Sequence, residues 1–225
     1  MAEPAFQGIE LLPAAGPARQ LFILLHGAGG AASDLLSLAE ALGAAFPQAA
    51  CLLPDGFAAF DAGNGGRQWF SIDGVTEDNR AARVAEAMPA LHALVRQSQD
   101  RYKMMLPDTA LAGFSQGAIL ALEYAIAHDG SVGRVLAFSG RFATLPDKAP
   151  ELTTVHLLHG KEDRIVPVGH AYAAFEGLSQ HQGDATLDVA SSVGHEIHAA
   201  LVDCAIYRLQ TCIPLRTWKN ALSSA

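Results

Sequence analysis

Six short apolar runs recur along the chain: residues 20–26 (QLFILLH), 50–54 (ACLLP), 109–113 (TALAG), 134–140 (RVLAFSG), 154–160 (TVHLLHG) and 186–191 (TLDVAS). Runs of this length read as strands apolar on both faces, although periodicity alone does not separate a short buried strand from a helix fragment. Between them the period changes. Over 79–101 the apolar positions Ala81, Val84, Ala85, Met88, Leu91, Leu94 and Val95 return every three or four residues and leave Arg80, Arg83, Glu86 and Arg96 for solvent, which predicts an amphipathic helix. Pro89 inside that pattern predicts a bend or a split. Further helices are predicted over 33–46, 116–128, 168–178 and 197–211, and a Gly-rich loop over 56–67 (GFAAFDAGNGGR).

Strands alternating with helices predict an α/β fold built on a mostly parallel sheet with helices on both faces. Right-handed crossovers align the C-terminal ends of such strands along one edge, where open α/β sheets carry their sites. At 225 residues one α/β domain is expected, with little room for a separate lid. Half of the residues are hydrophobic and only 17% are charged, so the chain lies far from the composition of disordered proteins. A net charge of −8 argues against general binding to nucleic acid or anionic membranes, both of which reward a positive surface. No basic region followed by an apolar stretch opens the chain, and the longest apolar run, LFILL, cannot span a bilayer. A cytoplasmic protein without stable membrane insertion is expected. Cys51, Cys204 and Cys212 are odd in number and lack metal-ligand spacing, which predicts reduced, mostly buried thiols.

The segment Gly113-Phe114-Ser115-Gln116-Gly117 fits the pattern G-x-S-x-G, with a predicted strand before it and a helix after it. A nucleophile presented on a sharp strand-to-helix turn needs small neighbours on both sides, because the two elements approach closely there. The turn also sets the hydroxyl at a helix N-terminus, where free N–H groups favour developing negative charge. The plain alternative is that Ser115 only caps the helix.

A serine hydroxyl attacks well only if an oriented base takes its proton. In chain order, Asp163 follows one predicted strand and His195 follows the next, which is the order Ser, Asp, His of α/β-hydrolases. His195 is favoured over His198, which falls inside the predicted last helix. Glu162, beside Asp163, would serve chemically and stays a competitor at this point. His26, His156 and His159 sit in or at the ends of apolar strands and read as hydrogen-bonded core residues. No third ligand accompanies His195 and His198 at a spacing suited to zinc.

An acyl-transfer site also needs fixed donors for the oxyanion. The N–H of Gln116 is one candidate, and the Gly-rich turn of LLHGAGGAASD, with Ala28 as donor, is the other. Neither a G-x-G-x-x-G frame nor a P-loop lysine fits that turn.

In order, "LLHGAGG", "RQWFSIDG", "AGFSQGAILALEYA", "HGKEDRIVPV" and "GHEI" resemble the motifs of the phospholipase/carboxylesterase family, which includes acyl-protein thioesterases. The likeness runs from about Leu21 to Leu209 and is strongest to the bacterial YpfH-type esterase branch, through "GRQWFSIDGVTEDNR". The resemblance implies Ser115 as nucleophile, Asp163 as the acid orienting His195, and the N–H groups of Ala28 and Gln116 as the oxyanion hole. Val166-Pro167 after Asp163 matches the acid loop of the family, which sets Glu162 aside. Gly30 stands where many members have Asp. Trp69 and Phe70 match a Trp-Phe element that lies near the site in such proteins; they could line a substrate pocket or pack as core. The implied activity is a serine carboxylesterase acting on small-molecule esters or thioesters without metal or organic cofactor. An acyl-protein thioesterase, a lysophospholipase and a non-catalytic binding homologue are the alternatives; the last would have lost a residue of the site, and none is missing.

Overall fold

The computed structural model of the protein describes residues 7–63, 65–214 and 217. Residues 1–6, Asn64, 215–216 and 218–225 lie outside the described residues. The core is a seven-stranded sheet made by β1 (Gly8–Leu11), β2 (Gln20–Leu25), β3 (Ala49–Pro54), β6 (Thr109–Phe114), β7 (Arg134–Phe138), β8 (Thr154–Gly160) and β9 (Ala185–Ala190), in the order β1-β3-β2-β6-β7-β8-β9. All neighbours run parallel except β1, which pairs antiparallel with β3 from Gly8↔Pro54 to Leu11↔Cys51. β4 (Ala58–Ala59) and β5 (Arg67–Gln68) form a separate small hairpin.

The period of two in the strands divides the core in half. Leu21, Ile23 and Leu25 of β2 face one layer, and Phe22 and Leu24 face the other. The first layer is closed by α2 (Glu77–Tyr102), α3 (Gln116–Ala127) and α4 (Gly169–Gln180); the second by α1 (Leu36–Ala45) and α5 (Ala199–Thr211). A 3-10 turn at Ala32–Leu35 leads into α1. This is the mostly parallel α/β sheet with helices on both faces that the run pattern predicts, with each predicted strand and helix present within a few residues.

Five points differ from the sequence reading. β1 went unread because its single edge pairing leaves a half-buried GIEL segment without an apolar run. The predicted loop 56–67 carries the β4–β5 hairpin. Pro89 does not split α2; it and Ala85, whose carbonyl loses its donor, are both exposed, so water can replace the missing hydrogen bond. On the same helix Ala81 and Ala85 are exposed, and the buried stripe is Val84, Ala87, Met88, Leu91, Val95, Ser98 and Gln99. The cysteines are free, but only Cys51 is buried; Cys204 and Cys212 are half-buried. Among the described residues no helix is long and apolar enough to cross a membrane.

Candidate active site

β6 ends at Phe114 and α3 begins at Gln116, so Ser115 alone makes the corner. Its backbone takes φ 53° and ψ −113°, a left-handed conformation that L-residues avoid. The corner is held by Ser115 N–H donating to Phe138 O at 3.0 Å and by Ile119 N–H donating to Ser115 O at 3.0 Å. The two glycines have steric reasons: a Cβ on Gly113 would lie 2.3 Å from the Gly117 carbonyl oxygen, and one on Gly117 would lie 2.2 Å from Leu25 O. Ser115 occupies the N-cap position of α3, yet its hydroxyl makes no cap hydrogen bond. Instead it lies 2.9 Å from Nε2 of His195.

His195 comes from the turn after β9, and its Nδ1 is 2.7 Å from Oδ2 of Asp163, in the turn after β8. The other carboxylate oxygen, Oδ1, accepts the N–H groups of Ile165 and Val166 at 2.9 Å each. Burial opposes ionisation of Asp163, but the hydrogen bonds from His195, Val166 and Ile165 outweigh it and hold its pKa below the ordinary carboxylate value. The carboxylate therefore only accepts, which places a proton on Nδ1 of His195 and leaves Nε2 to accept from the Ser115 hydroxyl. The Phe114 ring packs on the imidazole at 4.8 Å between centroids.

The competitors fall elsewhere. Glu162 is exposed, and His198 caps α5, its Nδ1 accepting the Ala200 N–H at 3.2 Å. His26, His156 and His159 are fully buried in the sheet region. His159 nevertheless touches the site: Nε2 lies 2.7 Å from Val166 O and 3.4 Å from Asp163 Oδ2. Burial lowers its pKa despite those two oxygens, so it is neutral and donates to Val166 O, bracing the acid turn. Nothing in the local sequence separates this position from an ordinary core histidine.

The Gly-rich turn after β2 rests directly on the corner, since a Cβ on Gly27 would lie 3.4 Å from Cβ of Ser115. The turn is tied to β5 by Gly29 N–H donating to Arg67 O and Arg67 N–H donating to Gly30 O, both 2.8 Å. Gly30 N–H donates to Gly27 O at 3.2 Å. The N–H of Ala28, just before these committed donors, has no partner among the described residues. Gln116 heads α3, so its N–H has no acceptor within the helix. At Gly30 the space of a side chain is already taken, because a Cβ there would sit 2.5 Å from Asp34 Oδ2, an oxygen that accepts the Ala31 N–H at 3.0 Å. Asp34 thus stiffens the turn from outside it.

Trp69 and Phe70 are buried and belong to the core layer of α2 and α3. Their role is to fasten loops to the corner. The Gln116 side chain accepts Trp69 N–H at 2.9 Å and donates to Phe70 O at 2.7 Å, while the Trp69 indole donates to His26 O at 2.7 Å. Part of the wall of the cavity beside the site is made by residues that sequence reasoning passed over. That cavity, about 610 Å³, is bounded by Ala28, Phe114 and His195 together with Leu35, Leu38, Ile197 and Val202.

Comparison with known proteins agrees with this architecture. The sequence pattern of the phospholipase/carboxylesterase family matches residues 8–213. Esterase YpfH of Escherichia coli (strain K12) is 42% identical over 208 residues, covering 92% of this chain and 89% of that protein. Acyl-protein thioesterase 1 of Saccharomyces cerevisiae is 29% identical over 182 residues, 72% of this chain and 78% of that one. The crystal structure of esterase PE8 superposes with a TM-score of 0.85 at 28% identity, over 92% of this chain and 99% of that chain. The α/β-hydrolase sheet, the family match across nearly the whole chain and the similarity to an esterase agree, and the chain belongs to the phospholipase/carboxylesterase family of hydrolases.

Proposed function

We propose that the protein is a one-domain serine carboxylesterase in which Ser115, His195 and Asp163 act as a catalytic triad through an acyl-enzyme. The observation that carries the reading is the unbroken hydrogen-bonded chain from the Ser115 hydroxyl through His195 to Asp163, at 2.9 and 2.7 Å. As Oγ attacks the ester carbonyl carbon, its proton passes to Nε2 of His195. The imidazolium so formed faces a carboxylate already stabilised in its charged form. The carbonyl oxygen becomes an oxyanion facing the N–H groups of Ala28 and Gln116; each such donor contributes about 2.7–4 kcal/mol to lowering the barrier. Collapse breaks the bond to the alcohol oxygen, which takes the proton from His195. Water then repeats the sequence on the acyl-enzyme, returning the serine and releasing the acid.

A thioester differs only in its leaving atom, and the likeness to a yeast acyl-protein thioesterase supports thioesters as a second substrate class. Two measurements test the reading together: turnover of p-nitrophenyl acetate, butyrate and octanoate, and covalent labelling by a fluorophosphonate followed by peptide mapping. The wild-type protein is expected to hydrolyse the esters and to carry one label on Ser115. Ser115→Ala is expected to lose both while keeping its circular-dichroism spectrum. Retained turnover in that variant would overturn the assignment.

A further inference from the structure

The cavity of about 610 Å³ opens between the start of α1 and the chain that runs from His195 into α5. Its floor and walls are apolar: Leu35, Leu38, Ala41, Phe114, Ile197 and Val202. Its size lies in the range of small-molecule sites. Two of its edges are parts of the proposed machinery, since Ala28 and His195 both border it. We propose that this cavity receives the alcohol portion of the ester, and that it selects bulky alcohols that are neutral or cationic over anionic ones. The proposal rests on the serine-esterase reading above.

The side is assigned by the proton transfer. Nε2 of His195 must reach the departing oxygen in order to protonate it, so the group attached to that oxygen leaves the reaction centre along the imidazole. The cavity is walled by that imidazole and by residues that follow it in the chain. An apolar group entering there would cover the faces of Leu38, Ile197 and Val202, and a single methylene in such a pocket is worth about 10–200-fold in kcat/KM.

Charge is assigned by the rim. Asp34, Glu196 and Asp203 also border the cavity; among the described residues no Lys or Arg lines its wall and none of the three acids forms an ion pair. All three are solvent-exposed, so their field is screened and should weaken with salt. A sulfonated or phosphorylated alcohol meets three like charges; a quaternary ammonium meets opposite ones.

The test holds the acyl group constant and varies the alcohol. Ethyl, 3,3-dimethylbutyl, choline and 2-sulfoethyl butyrates are compared by titrating the butyric acid released. The wild-type protein is expected to show at least tenfold higher kcat/KM for the 3,3-dimethylbutyl than for the ethyl ester. The choline ester should exceed its neutral isostere at low salt, the sulfoethyl ester should fall below it, and both gaps should close at high salt. Val202→Trp and, independently, Ala41→Phe fill the cavity from half-buried wall positions. Each should cut the dimethylbutyl-to-ethyl ratio at least tenfold, and Glu196→Gln combined with Asp203→Asn should remove the choline advantage. If the filling variants alter the preference for acyl length and leave the alcohol ratio alone, or change neither, the proposal is overturned while the esterase reading stands. If the wild-type protein hydrolyses none of the four but turns over the p-nitrophenyl esters, the proposal falls alone; if it turns over neither set, the proposal falls together with the reading beneath it.

Discussion

Asp163 shows how much one side chain can decide. Its Oδ1 is committed to two backbone N–H groups, so an Asn at 163 must turn its carbonyl oxygen toward Ile165 and Val166 and its NH₂ toward His195. Nδ1 would then have to accept, Nε2 would carry the proton, and the imidazole could no longer take one from Ser115. Asp163→Asn is therefore expected to lower kcat by up to about 10⁴ with little loss of thermal stability, checked by pre-steady-state kinetics alongside a melting curve. These residues were readable because the chemistry demands a fixed set of types, each just after a strand, in a fixed order. Trp69 and Phe70 were not readable in the same way, since an aromatic pair has the same letters whether it lines a pocket or fastens a loop. Leu35, Leu38 and Val202 stayed hidden for a related reason: on the page they are core positions of amphipathic segments, and only the gap between two helix ends turns them into a wall.

Among the elements, the corner between β6 and α3 is where local and tertiary structure meet. Gln116 contributes its backbone to the proposed oxyanion hole and its side chain to the segment around Trp69 and Phe70, two tasks that one residue type satisfies. Gln116→Met keeps the N–H but strands a buried Trp69 donor and the Phe70 carbonyl, each costing about 1–3 kcal/mol. The expected result is faster amide hydrogen exchange across residues 57–75 and a lower melting temperature, with turnover reduced but present. Elements with internal periodicity were legible, and those whose form depends on a distant partner were not. β1 exists because β3 offers an open edge, the β4–β5 hairpin because the Gly-rich turn binds Arg67, and α2 passes through Pro89 because solvent can serve the orphaned carbonyl.

For the molecule as a whole, acid sensitivity follows from histidines sealed into the sheet. His156 is pushed down to about 3, chiefly by burial and then by Arg134 and Arg208, with Asp188 opposing; its Nε2 has no partner among the described residues. His26 and His159 are lowered too, again by burial first. The native state keeps His156 neutral while the unfolded chain takes up a proton there below the ordinary histidine value of 6.5, and His26 and His159 act in the same direction. Stability is thus fully present above that value and is lost as pH falls, at about 1.4 kcal/mol per pH unit from His156. Urea unfolding at pH 7.5, 6 and 5 should show that decline, and His156→Gln should flatten it; a pH-independent midpoint over this interval would contradict the assignment. The layered parallel sheet was legible because its strands are apolar on both sides, whereas β9, half-buried throughout at the sheet edge, shows how weak that signal becomes where one neighbour is missing. The sequence separation within the site has its own outcome. The corner serine is complete once β6 and α3 have formed, but its proposed base, His195, arrives 80 residues later, on a turn that exists only after β9 has docked. On the proposed mechanism, a chain emerging from the ribosome, or one refolding after dilution from urea, carries a mute hydroxyl until its final strand closes, and the first burst of turnover reports the docking of β9.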